Sequence, residues 1–305
     1  MPRAMILAAG LGTRLRPLTE ELPKPLVPLG DRPLLASIAE QLAAAGYREA
    51  LLNTHWLPEA FAPWLDRLAV RLHAVHEPVI RGTAGGVAAA RARLGAPPIL
   101  VYNGDVVVEP PLVELAAVAD DGLTLVVVPR LRGAGTVGLD ADRGVVRLRG
   151  EKFGEEASGG DYVGVAALGA RVLAILPETG CLVGDVALPW LRRGGRVRAV
   201  LHRGYFADAG TPPEYLAANL AWLARRGARA WAAPSARVAA GVELVDSLVG
   251  VGAAVEGSGA LTRCVVWPGA TARAPLADAI VTPRRVVRAP GRGASSDRSR
   301  PDDQG

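Results

Sequence analysis

LAAGLGTRLRPLT at residues 7–19 and PKPLVPLGDRPLL at residues 23–35 decide how this chain is read. The short apolar stretch Ala4–Ala8 has the composition of a buried strand and runs straight into Gly10-Leu11-Gly12-Thr13-Arg14. Glycines directly after a parallel strand let backbone N–H groups approach a phosphate with no Cβ in the way. Arg14 and Lys24 can then bracket the phosphate charge. The loop is no dinucleotide fingerprint, because Leu15 stands where a third small residue is needed and no ribose-binding acid follows the second strand at Asn53. Nor is it a Walker loop, since Lys24 lies too far from the glycines and no Ser or Thr follows it.

Only Lys24 and Lys152 among the 35 cationic residues are lysine. Lysine is a flexible point charge and arginine a planar fork, so an Arg-rich chain can keep Lys where a guanidinium does not fit. Codon bias would leave the same scarcity, and the surroundings of each lysine decide between the two.

Working outward, residues 50–54, 70–75, 99–102, 123–128 and 163–168 read as strands. Leu34, Leu35, Ile38 and Leu42 fall at helical spacing, residues 83–94 are Ala-rich, and residues 213–225 read as a helix opened by Thr211. The alternation predicts an α/β, Rossmann-like domain over residues 1–230 with a mixed, mostly parallel sheet. After Pro234, Val238, Leu244, Val249, Val255, Leu261, Val266 and Ala272 recur every five or six residues among Gly and Ala. This spacing predicts a short left-handed parallel β-helix of hexapeptide repeats over residues 234–283. It holds fewer than three coils of about 18 residues, so it needs packing on the first domain or a second subunit. Residues 284–305, Arg-rich among Gly, Pro and Ser, are expected to be a disordered tail.

At 305 residues the chain has room for about two domains. No window approaches a membrane span, and the apolar start is too short for a signal core, which predicts a cytoplasmic protein with no membrane partner. Cys181 and Cys264 give neither metal spacing nor a disulfide framework. The net charge of +5 is partly concentrated at the end, where residues 284–300 hold six Arg against one Asp. The body is close to neutral, so no nucleic-acid partner is expected. His55, His73, His76 and His202 show no ligand spacing.

The apolar run at residues 99–102 ends in Asn103-Gly104-Asp105, placing a carboxylate at the crevice where α/β sheets bind ligands. Phe206-Ala207-Asp208-Ala209-Gly210-Thr211 sets a second Asp before a turn and helix. Mg²⁺ is commonly held by one or two carboxylates together with substrate phosphates, so Asp105 and Asp208 suffice if they converge.

The two opening stretches resemble the signature of the sugar-1-phosphate nucleotidyltransferases, and the resemblance covers about residues 3–225. It implies that Ala9, Gly10, Gly12, Thr13, Arg14 and Lys24 hold a nucleoside triphosphate, with Gly82, Thr83, Ala84 and Gly85 under the nucleobase. It implies that Asp105 and Asp208 bind catalytic Mg²⁺, with Phe206 where the family has Trp. Gly135, Glu151, Lys152 and Gly164 correspond to the sugar-phosphate site, although Phe153 and Ala134 replace the usual Pro and Tyr, and the Asn of the segment matching Gly164 is missing. Arg14, Lys24, Asp105 and Lys152 would be catalytic. The layout of NTHWLPEAF, GTAGG and FADAGTPPEYLAAN is similar to mannose-1-phosphate guanylyltransferases and to N-acetylmuramate-1-phosphate uridylyltransferases. These branches, other uridylyl- or thymidylyltransferases, and a non-catalytic nucleotide-sugar-binding paralogue stay open at this point. A homo-oligomer formed through the β-helix stays open as well.

Overall fold

The structure, a computed structural model, describes residues 1–290 and divides into two units. The first comprises residues 1–14, 19–28 and 32–208. Its elements run β1 (Ala4–Ala8), α1 (Leu34–Ala44), β2 (Glu49–Thr54), β3 (Arg71–His76), α2 (Gly82–Ala90), β4 (Ile99–Asn103), β5 (Val106–Val108) and α3 (Leu112–Val118). There follow β6 (Leu123–Arg130), β7 (Val137–Leu139), β8 (Val145–Leu148), β9 (Glu151–Lys152), β10 (Ser158–Leu168), α4 (Ala170–Ala174), α5 (Leu188–Arg192), β11 (Val197–Leu201) and β12 (Phe206–Asp208).

Ten strands make one sheet in the order β9-β8-β7-β10-β4-β1-β2-β3, with β6 beside β10 and β11 beside β6. Apolar residues on both faces, among them Met5, Ile6, Leu51, Val101, Leu125 and Ala166, bury the strands around β1 completely or nearly so. The β1–β2, β1–β4, β2–β3 and β6–β11 pairs are parallel. The pairs of β10 with β4, β6 and β7, of β7 with β8 and of β8 with β9 are antiparallel. The sheet is mixed as expected, but the expectation that it is mostly parallel is corrected, since its antiparallel pairs slightly outnumber the parallel ones. Strands β7, β8 and β9 follow one another through short turns, and a short turn can join only antiparallel neighbours; β10 then returns antiparallel beside β7.

In the middle of β10 the register with β6 shifts between Tyr162 and Ala166, and Gly164 lies there with φ of +82°. A Cβ on it would meet Asn103 Nδ2 at 2.7 Å, so only glycine lets β10 pass this close to the end of β4.

The β7–β8 hairpin is tied by Arg147, whose Nε donates to Glu156 Oε2 at 2.8 Å, while the Gly133 N–H donates to Glu156 Oε1 at 2.8 Å. The bond from Arg147, then that from Gly133, lowers the Glu156 carboxyl to about 2. A depressed carboxyl stabilises the fold above its unfolded pKa and loses that contribution as pH falls through the folded value. The melting-temperature gap between wild type and Glu156→Gln is therefore expected to shrink as pH falls from about 5 to about 2. Parallel melting curves over that range would contradict the tie.

The second unit comprises residues 15–18, 29–31 and the chain from Ala209 onward. Helix α6 (Pro212–Ala224) is capped by Thr211, whose hydroxyl accepts from the Glu214 N–H at 3.4 Å. By its contacts it groups with this unit. Beyond it lie β13 (Ala230–Ala232), β14 (Arg237–Val238), β15 (Val242–Val245), β16 (Ser247–Val249), β17 (Ala254–Val266), β18 (Thr271–Val281) and β19 (Val286–Arg288). Strands β13 to β18 pair in parallel, Leu248 facing Val265 and Ala254 facing Thr271, each partner 17 residues on. Trp267 Nε1 donates to the Tyr215 hydroxyl at 3.1 Å and joins this sheet to α6.

Strand β19 turns back antiparallel on β18. It lies inside the stretch read as an Arg-rich tail, so that reading is corrected for residues 284–290. Val286 and Val287, adjacent between Arg285 and Arg288, pair with Val281 and Ile280 in a short ladder, which the charge count concealed. Residues 291–305 of the expected tail lie outside the described residues.

Candidate active site

Strands β1, β2 and β4 end at the same edge of the sheet, and the chemistry-bearing residues gather just beyond it. The loop leaving β1 turns at Gly12, where φ is +61° and a Cβ would meet Thr19 Cγ2 at 2.7 Å. The Thr19 hydroxyl donates to Gly12 O at 2.9 Å and fixes the turn, while Gly10, Thr13 and Arg14 stay exposed.

Lys24 lies in one 3-10 turn, Lys24–Leu26, held between Pro23 and Pro25. Its side chain is only 7% exposed, and Nζ donates to Asp105 Oδ2 at 3.0 Å and to Asp208 Oδ1 at 3.2 Å. Arg14 Nη2 donates to Asp208 Oδ2 at 3.1 Å. Two elements bring these carboxylates together. Gly104 continues the β1–β4 ladder by donating to Leu7 O at 2.8 Å, which delivers Asp105. Strand β12 then pairs with β5, setting Asp208 opposite Val106. Residues 81 and 184 positions from Lys24 thus meet at one ammonium.

The cluster carries two cations and two carboxylates, so its charges balance. Burial pushes the Asp208 carboxyl up, but Lys24 and then Arg14 together overcome this and hold it below the usual range. Among the described residues no group of three His, Cys, Asp or Glu converges. The pair Asp105 and Asp208 nevertheless fits a hard divalent cation: both carboxylates already reach one positive centre, and each is 42% exposed and open to phosphate oxygens.

Of the residues singled out in the sequence, Arg14, Lys24, Asp105 and Asp208 are brought together, and Gly164 lies beside Asn103 at the same edge. Glu151 and Lys152 stand apart on β9, with β8, β7 and β10 between them and β4. Glu151 accepts from Arg192 Nε at 2.9 Å, and Gly135 receives Arg147 on its carbonyl at 3.1 Å. Gly82, Thr83, Ala84 and Gly85 form the first turn of α2. The Ala84 N–H is committed to Gly180 O at 2.9 Å, the Thr83 hydroxyl accepts from the Leu182 N–H at 2.7 Å, and Ala84 and Gly85 are buried, which leaves Gly82 as the exposed residue of that turn. Asn53 and Glu77 were not singled out, although both are polar and almost wholly buried beneath these loops. The sequence signal at Asn53 was a polar residue in an otherwise apolar, buried strand.

The Nucleotidyl transferase family model matches residues 3–225. The chain belongs to this family, and its opening signature and carboxylate pair lie inside the match. Mannose-1-phosphate guanyltransferase of Schizosaccharomyces pombe is 30% identical over 72% of the chain, the match spanning 64% of that protein's length. A probable mannose-1-phosphate guanylyltransferase of Oryza sativa subsp. japonica is 28% identical over 88% of the chain and 81% of its own length. HddC from Yersinia pseudotuberculosis, solved alone and complexed with GMP-PN, shares the fold at TM-scores of 0.61 and 0.60. It is 24% identical over 73% of this chain and all of its own. No helix among the described residues is long and apolar enough to cross a membrane.

Proposed function

We propose that the chain joins a nucleoside triphosphate to a sugar 1-phosphate, giving a nucleotide-sugar and pyrophosphate, with GTP and mannose 1-phosphate as the pair. The observation that carries the reading is the convergence of Lys24 and Arg14 on Asp105 and Asp208 at the carboxyl end of the central strands. The printed names of the relatives supply the guanylyl and mannose parts.

The sugar phosphate oxygen attacks the α-phosphorus in line and pyrophosphate leaves. A phosphate near neutral pH is already ionised, so no protein nucleophile or strong base is needed, and catalysis consists of positioning and charge neutralisation. Loop residues Gly10 to Thr13 receive the triphosphate on their backbone, and exposed Arg14 reaches the leaving pyrophosphate. Lys24 holds the α-phosphate. Asp105 and Asp208 would hold Mg²⁺, which when bound neutralises phosphate charge. The turn that opens α2, exposed at Gly82, lies under the base. Exposed Lys152 serves the sugar phosphate and Glu151 the sugar hydroxyls, Glu151 exchanging Arg192 for substrate.

In the same reading the C-terminal sheet is a short left-handed β-helix of hexads, supported by its parallel offset of 17 residues, shortened to 15 past the register shift between Gly257 and Leu261, which is close to three hexads. It would be the surface through which copies associate in the cytoplasm. Pyrophosphate release with Mg²⁺ across GTP, UTP, dTTP, CTP and ATP against mannose, glucose, N-acetylglucosamine and N-acetylmuramic acid 1-phosphates tests the substrates. The GTP and mannose 1-phosphate pair should exceed all others; a larger rate with UTP and N-acetylmuramic acid 1-phosphate would replace both names.

A further inference from the structure

Asn53 and Glu77, 3% and 2% exposed, form one directed chain of hydrogen bonds beneath the candidate site. The Ala8 N–H donates to Asn53 Oδ1 at 2.7 Å, Asn53 Nδ2 donates to Glu77 Oε1 at 2.8 Å, and the Arg81 N–H donates to Glu77 Oε2 at 3.2 Å. Both ends of the chain are backbone N–H groups, which can only donate. Asn53 accepts on its oxygen and donates from its nitrogen, so the group beyond it must accept on two separate atoms, one facing Asn53 and one facing Arg81. A carboxylate can do this, whereas a carboxamide would turn its NH2 toward one of the two donors.

The two ends belong to the two loops that face the crevice. Ala8 is the last residue of β1 before the glycine loop, and Arg81 immediately precedes α2. Helix α2 also rests on the pair, since a Cβ at Gly86 would lie 2.8 Å from both Asn53 Nδ2 and Glu77 Oε1. The main chain of Glu77 is fixed too: its N–H donates to Thr54 O and its carbonyl accepts from His55 Nδ1, each at 2.8 Å.

We propose that Glu77 is a positioning residue for the nucleoside triphosphate, setting the separation between the phosphate loop after β1 and the turn that opens α2. The inference rests on the reading that this crevice takes a triphosphate. Glu77 is too deeply buried to touch either substrate, and the two loops it ties are those read as holding the triphosphate, so its influence falls on that substrate.

The test uses the full chain, with triphosphate affinity measured by calorimetry alongside steady-state kinetics. Glu77→Gln turns one buried donor against another and is expected to raise Kd and KM for the triphosphate about tenfold, the cost of one unpaired buried group. The KM for sugar phosphate and kcat should stay within about twofold, since the reacting groups lie elsewhere. Asn53→Asp alone sets two carboxylates against each other and weakens binding as well. Combined, the two substitutions restore the chain: the new carboxylate at position 53 accepts from Ala8 and from the new amide, whose oxygen accepts from Arg81. The double variant should therefore return to within about threefold of wild type, a strong coupling between neighbours.

Wild-type triphosphate affinity in Glu77→Gln, an equal rise in both KM values, or a double variant no better than the single in binding or folding would overturn the inference. A wild-type chain that binds triphosphate without turnover would sink the proposed reaction and leave the calorimetric test standing. One that binds none of the five triphosphates would overturn both.

Discussion

Asp208→Asn is expected to lower kcat about a thousandfold while the protein keeps its fold. Asp208 is the meeting point of the site: one carboxylate oxygen takes Lys24 at 3.2 Å and the other takes Arg14 at 3.1 Å. The substitution keeps the shape and removes the charge, so Arg14 loses its carboxylate, Lys24 keeps only Asp105, and a divalent cation loses one of two carboxylates. Asp208 is 42% exposed at the end of a short strand, so little apolar packing depends on it. Pyrophosphate release and a melting curve on the same preparation check this. A folded variant within about tenfold of wild type would remove Asp208 from the chemistry.

Lys24→Arg retains the charge and is expected to lower kcat about a hundredfold. The ammonium sits in a space left 7% exposed by two prolines and two carboxylates, and makes one contact to each carboxylate. A guanidinium is broader and prefers to engage one carboxylate with two parallel bonds, which would draw Asp105 and Asp208 apart. The rate and the KM for triphosphate should both worsen. Wild-type kinetics would return the scarcity of lysine to codon bias.

The strand and helix core was legible because its signals are local. The stretch Ala4–Ala8 forms β1 as read, and residues 50–54, 99–102 and 213–225 each fall within a residue or so of an element. The antiparallel insertion from β7 to β10 was less legible, because strands as short as Glu151–Lys152 carry no periodicity and gain their order from pairing alone. Asp105 and Asp208 could be named as separate acids, but their meeting depends on the β5–β12 pairing of two three-residue strands. The partner of Glu151 was not legible at all, since Arg192 is one arginine among many and only the fold selects it. Glu77 was missed for the opposite reason. A glutamate before a proline reads as an exposed turn, and only the placement of Asn53 and Arg81 around it reveals that both its oxygens are used.

The most direct measurement is a phosphorus NMR time course of the full chain with GTP, mannose 1-phosphate and Mg²⁺, run beside Asp208→Asn. Pyrophosphate and a sugar diphosphate signal are expected to grow in equal amounts with wild type and hardly at all with the variant. Orthophosphate in place of pyrophosphate, or equal product from both proteins, would contradict it.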